Sequence, residues 1–124
     1  AILERLAAGD LVVFPFDQHA QRKDGVMAEF FGHAAGTFRS LAVIALATGA
    51  PVVPASSWRE RDGRHVLRFE APVPLVEHAD TNEAIRLTTR AFNRALELLV
   101  VRRPEQWWWV HRRWKPWPPR KSAR

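Results

Sequence analysis

Leu11-Val12-Val13-Phe14-Pro15-Phe16 is a continuous apolar run with no polar alternation, and Pro51-Val52-Val53-Pro54-Ala55 is a second one further along. Runs of this kind read as short strands covered on both faces, as in a parallel sheet. Between them, Gly36-Thr37 offers an N-cap to a helix over 38–48 that is apolar nearly all round and is stopped by Gly49. A strand, a connection through a helix and a second strand make a crossover expected to be right-handed. The expected class is therefore α/β. The opening Ala1–Gly9 reads as the last turns of a helix closed by a C-cap glycine, so the chain is expected to be a fragment that begins in mid-element.

The remaining segments extend this frame. Residues 17–25 are polar and end in Gly25, which predicts a loop, and Val26–Phe31 predicts a short extended segment ended by Gly32. Trp58–Arg61 and His65–Glu70 flank Asp62-Gly63, a strong hairpin signal that predicts an antiparallel extension at the sheet edge. Asp80-Thr81-Asn82-Glu83 resembles a capping box and starts a predicted amphipathic helix over 81–101, with Ile85, Thr88, Phe92, Ala95, Leu96 and Leu99 on one stripe. Pro104 ends it.

At 124 residues and 47% apolar content the chain is at most one domain, with enough apolar material for a core. It contains no Cys, which excludes disulfide scaffolds and thiolate metal sites, and no apolar run approaches the roughly 20 residues of a membrane span. The net charge of +6 is unevenly placed. Residues 1–101 carry 11 Lys/Arg against 12 Asp/Glu, whereas residues 102–124 carry 8 against 1. Five of the six Trp are in that tail as well. Two regions are expected: an α/β body over 1–102 and a Trp/Arg-rich tail over 103–124.

Several motifs stand in a fixed order. Asp17-Gln18 follows the first apolar run, Phe30-Phe31-Gly32 and Ala35-Gly36-Thr37 precede the helix, Gly49-Ala50-Pro51-Val52-Val53-Pro54 follows it, and Pro104-Glu105-Gln106-Trp107-Trp108-Trp109-Val110-His111-Arg112-Arg113-Trp114-Lys115 closes the series. In residue types, order and spacing this resembles the lipid A lauroyl/myristoyl acyltransferases, a family of membrane-associated bacterial enzymes, over about 100 residues. The resemblance implies a partial glycerolipid-acyltransferase-like sheet and transfer of an acyl group from acyl carrier protein to a hydroxyl of a glycolipid. It also implies no cofactor and a location at the cytoplasmic face of the inner membrane. In that chemistry a His-x4-Asp or His-x4-Glu pair supplies the general base and its orienting carboxylate.

The family's pair lies N-terminal to every matched motif, and its Asn-His-x-Gly-x-Trp-Asp context does not occur here, so this fragment is expected to be inactive alone. The bare spacing recurs as His19/Asp24, His65/Glu70 and His78/Glu83. His65 and Glu70 would point to opposite faces of a strand, and Glu83 belongs to the capping box. His19 and Asp24 lie at the favourable end of a strand, yet a solvated loop is the preferred reading.

Beside the site that the resemblance implies, Asp17 and Gln18 are either polar floor residues or a strand-terminating Asx-turn. Thr37 and Arg39 either meet an anion at a helix N-terminus or form a plain cap with a surface Arg. Phe31 and Gly32 are expected beside the substrate, and Phe30, Phe31 and Phe38 either line an acyl groove or are plain core. Arg86, Arg90 and Arg94, four apart, face either anionic headgroups or the acidic carrier protein, or else solvent, which is the preferred reading.

In the tail, Trp107, Trp108, Trp109, Arg112, Arg113, Trp114 and Lys115 have the composition of a segment docked on anionic lipid, with at least one Trp expected to pack back on the body. The rival function is a non-enzymatic basic module that binds membrane or single-stranded nucleic acid. The near-neutral body offers nucleic acid no basic groove, so none is expected as a partner.

Overall fold

The computed structural model describes residues 1–119. The predicted 103–124 tail thus has its last residues, 120–124, outside the described ones. The chain is a mixed α/β unit built of α1 (Ile2–Ala7), β1 (Gly25–Phe30), β2 (His33–Phe38), α2 (Ser40–Thr48), β3 (Ala55–Arg59), β4 (His65–Phe69), α3 (Thr81–Arg102) and a 3₁₀ turn, Pro104–Gln106.

β1 and β2 form an antiparallel hairpin in which Phe30 faces His33 and Val26 faces Thr37. Its two-residue turn, Phe31-Gly32, has φ of 50° and 78°. Positive φ at both central positions is the twist that a tight hairpin requires. For Phe31 this conformation is costly, and tertiary contacts hold it there. Its N–H donates to Glu97 Oε1 at 2.8 Å, and its ring lies edge-on to Phe30 at 4.7 Å.

α3 is the element on which the rest is assembled. Asp80 caps it by accepting the Glu83 N–H at 3.0 Å, and Glu83 in turn receives two hydrogen bonds from the Arg86 guanidinium. Its N-terminal half closes one core, in which Ile85 and Phe92 meet Ala42 and Ala45 of α2, and Phe16 stands edge-on to Phe92 at 5.9 Å. Its C-terminal half closes a second core, where Val100 meets Phe30 and Ala35, covered by Leu96, Trp107 and Trp114. The helix is also polar in its buried centre: Thr88, Thr89 and Asn93 have no exposed surface, with Thr88 bonded to Val76 and Asn93 to Glu29 O of β1.

The hairpin signal at Asp62-Gly63 is correct, with Gly63 at φ 87° and Glu60 N–H donating to Arg64 O at 2.8 Å. The parallel crossover is not formed among the described residues. Both sheets are two-stranded and antiparallel, so β3 and β4 stand as a separate ribbon, and 11–16 belongs to neither. Leu11 and Val13 are 79% and 78% exposed. Instead of pairing with 11–16, the second apolar run bonds to the chain after β4, with Glu70 N–H on Pro54 O and Val73 N–H on Val52 O, both at 2.9 Å. Continuous apolarity predicts what a segment can bury, while a parallel strand also needs hydrogen-bonding neighbours on its edges.

The helix predicted from Phe38 starts at Ser40. Gly36 and Thr37, read as its cap, are interior residues of β2, and Arg39 occupies the N-cap position without a side-chain capping bond. The ladder to β1 takes the backbone of 33–38 first, so helix can begin only after it. α2 ends as expected, at Gly49 with φ 69°.

Candidate functional site

The 17–20 loop and the C-terminal tail converge on one carbonyl of β2, and α3 joins them through Asn93. Gly36 O accepts the backbone N–H of Ala20 at 3.0 Å and Nη1 of Arg113 at 2.8 Å. The other guanidinium nitrogen, Nη2, donates to Thr37 Oγ1 at 2.8 Å and to Asn93 Oδ1 at 3.3 Å, while Asn93 Nδ2 reaches Thr37 Oγ1 and Glu29 O. Glycine is required at the crossing point. A Cβ on residue 36 would stand 2.6 Å from Trp117 Nε1 and 3.0 Å from His19 Cε1, and would collide with Ala20 O.

Arg113 has no exposed surface, and its guanidinium lies over the Phe30 ring at 5.0 Å. All of its acceptors are neutral. Burial pushes its pKa down to about 10, an effect that the charge of Asp17 partly offsets. At neutral pH the group is a buried cation whose Nη1 and Nη2 are bonded, while its Nε has no hydrogen-bond partner among the described residues.

The tail grips the loop at two further points. His111 Nε2 accepts the His19 backbone N–H at 2.7 Å, and Trp117 Nε1 donates to Ala20 O at 2.8 Å. Loss of solvent is the main cause that lowers the His19 pKa, reinforced by Arg113, Lys115 and His111, and opposed by a hydrogen bond to the Arg113 backbone. Its Nδ1 is buried with no hydrogen-bond partner among the described residues. Beside this cluster opens a cleft of about 1410 Å³, walled by apolar residues of 11–16, α2, 50–54 and α3, with Asp17 at its edge.

The predicted site residues thus divide. Asp17, His19 and Thr37 belong to one neighbourhood around Arg113. Gln18 and Arg39 are exposed near it in sequence, and Asp24 bonds by its backbone to Gln21 and Arg39, with Lys23 3.9 Å from its carboxylate. Phe31 and Gly32 are at the opposite end of the hairpin, four ladder positions or more from Thr37, roughly 13 Å at the usual rise per residue. Phe31 is a core residue beside Trp107 and Trp114.

The residues read as a membrane interface divide too. Arg113 is wholly buried, Trp107 and Trp114 are half-buried against Phe30, and Trp114 Nε1 donates to Phe30 O at 2.9 Å. Trp108, Trp109 and Val110 are 68%, 53% and 77% exposed, with Arg112 and Lys115 exposed nearby in sequence. The basic character of Arg113 suggested solvent or lipid, whereas a guanidinium can be satisfied by several backbone and side-chain oxygens at once. The Arg86, Arg90 and Arg94 row is occupied by intramolecular ion pairs to Glu83, Glu29 and Glu97.

Sequence reasoning overlooked Asn93 and Glu97. Their signal was present: Thr89, Asn93 and Glu97 recur every four residues, a polar row next to the apolar stripe, and Glu97 is only 7% exposed.

The family described as bacterial lipid A biosynthesis acyltransferase matches residues 1–116. Two curated relatives are the lipid A biosynthesis palmitoleoyltransferase of Escherichia coli K12 and the lipid A biosynthesis acyltransferase of Shigella flexneri. Each is 29% identical over 123 residues, which is 98% of this chain and 39% of the relative. The chain therefore spans about two fifths of the length of the relatives it matches.

Proposed function

We propose, since the chain belongs to the bacterial lipid A biosynthesis acyltransferase family, that it is one wall of an enzyme that moves a fatty acyl group from an acyl-carrier-protein thioester to a hydroxyl of a lipid A-type glycolipid. In this reaction the acceptor oxygen attacks the thioester carbonyl, a base takes its proton, the C–S bond breaks, and the thiolate leaves with a proton. The base and its carboxylate come from parent sequence outside these 124 residues, so the fragment alone is inactive.

The observation that carries the reading is the Thr37–Arg113 hydrogen bond, which joins two of the matched motifs next to the loop whose Asp17, from a third, lines an apolar cleft. Asp17 and Gln18 contribute polar groups to the acceptor side, and Arg39 is an exposed cation at the start of α2 suited to a phosphate. The unpaired 11–16 segment and the open cleft are the face against which the rest of the sheet closes. That matches a chain covering 39% of its relatives.

Among the described residues no helix is long and apolar enough to cross a membrane. Contact with the inner-membrane surface is assigned to the exposed Trp108, Trp109 and Val110 with Arg112 and Lys115. The test is transfer by the full-length protein from acyl-carrier-protein thioester to a lipid A precursor, read by mass spectrometry. Gain of one acyl group is expected; no acylated product would overturn the assignment.

A further inference from the structure

The tail contains a wholly buried cation, bonded to backbone and neutral oxygens rather than held in an ion pair. The Arg113 guanidinium bonds Gly36 O, Thr37 Oγ1 and Asn93 Oδ1. The first of these is also the acceptor that anchors Ala20 N–H. Four residues on, Trp117 holds Ala20 O, and two residues back, His111 holds the His19 N–H. Trp117 is itself backed by Arg22, whose guanidinium lies 5.2 Å from the ring centroid and donates to Pro118 O at 2.8 Å.

The hydrogen bonds named here for the backbone of 19–20 thus go to β2 or to the tail. The loop follows 11–16, which belongs to neither sheet, so it has no strand ladder to fix it and its conformation is set from outside.

We propose that His111, Arg113 and Trp117 are positioning residues, which fix Asp17-Gln18-His19 against β2 and so set the direction of the Asp17 carboxylate at the cleft. The tail's primary role is that of a strap across the loop. Trp108, Trp109 and Val110, just before its first anchor, and the exposed Arg112 and Lys115 are left to meet a surface. This rests on the acyltransferase reading for its catalytic consequence, but the strap itself does not.

The experiment uses the full-length protein and has two arms. His111→Phe removes the acceptor and Trp117→Phe removes the donor while each keeps a ring in place; His111→Gln retains an acceptor. In hydrogen exchange, peptides covering 17–21 are expected to exchange about tenfold faster in either Phe variant, with α3 unchanged and with His111→Gln near wild type. In steady-state transfer, His111→Phe is expected to lower kcat about tenfold or more with KM within about twofold, and His111→Gln to restore it.

Unaltered exchange over 17–21 in both Phe variants overturns the strap. Faster exchange with unchanged kcat overturns the positioning role. A wild-type protein without transfer activity counts against the acyltransferase reading alone, and the exchange arm then decides the strap.

Discussion

The Glu97 carboxylate of α3 accepts the backbone N–H of Phe31, 66 residues away in sequence, and so holds the hairpin turn in its left-handed conformation. The same carboxylate stands 3.4 Å from Arg90 and 3.5 Å from Arg94. Removing it leaves the Phe31 N–H and Arg94 without their acceptor, while Arg90 keeps Glu29 at 2.9 Å. Glu97→Ala is therefore expected to destabilise the fold by about 2–3 kcal/mol, whereas Glu97→Gln, which retains an amide oxygen for Phe31, should cost about half as much. Chemical denaturation midpoints check this; equal losses for the two variants would contradict the assigned hydrogen bond.

Gly36 and Gly32 separate two reasons for glycine. At Gly36 a Cβ would strike backbone and ring atoms of the 19–20 loop and Trp117, while at Gly32 there is open space but φ is 78°. Gly32→Ala should cost about 1 kcal/mol through backbone conformation alone. Gly36→Ala forces the loop and tail apart and should cost more, about 2–3 kcal/mol. Thermal unfolding of the two variants gives the order directly, and a milder Gly36→Ala would mean that the crossing is looser than described.

The lowered His19 pKa has a definite sign in stability. The unfolded chain binds a proton at its ordinary value of 6.5 while the folded chain resists it, so stability is full above that pH and declines as pH falls below it. Urea midpoints measured between about pH 7.5 and 5 should fall, and His19→Gln should flatten that slope. An unchanged slope in the variant would assign the acid sensitivity to other groups.

These outcomes also mark what the sequence could and could not reveal. Local signals were reliable where one segment decides the structure: Gly49 after α2, Asp62-Gly63 between β3 and β4, and Asp80 before α3 all act as their chemistry predicts. The α/β class and the family were legible as well, because the motifs occur in order along the chain. Partners distant in sequence were not. Gly36-Thr37 is equally good as a helix cap or as strand residues, and the ladder with 25–30 decides between them. Arg113 looked like Arg112, and only the convergence of Gly36, Thr37 and Asn93 distinguishes the buried cation from the exposed one.

That distinction yields the prediction for the membrane surface. Trp108 is exposed while Trp107 before it and His111 after it are held to the body, so it can enter a lipid interface without disturbing the cores, and Arg112 adds roughly 1 kcal/mol on anionic lipid. Trp108→Ala with Arg112→Ala should lower binding of the full-length protein to vesicles containing anionic lipid by about tenfold, and the wild-type binding should weaken with salt. Trp107→Ala should behave differently, since that ring is half-buried and stands 5.7 Å from Phe30: it should lower the unfolding midpoint by removing core contact. Flotation at two salt concentrations, run beside thermal unfolding, separates the two effects. Equal vesicle binding by the double variant and the wild type would remove Trp108 and Arg112 from the membrane surface, whatever Trp107 does.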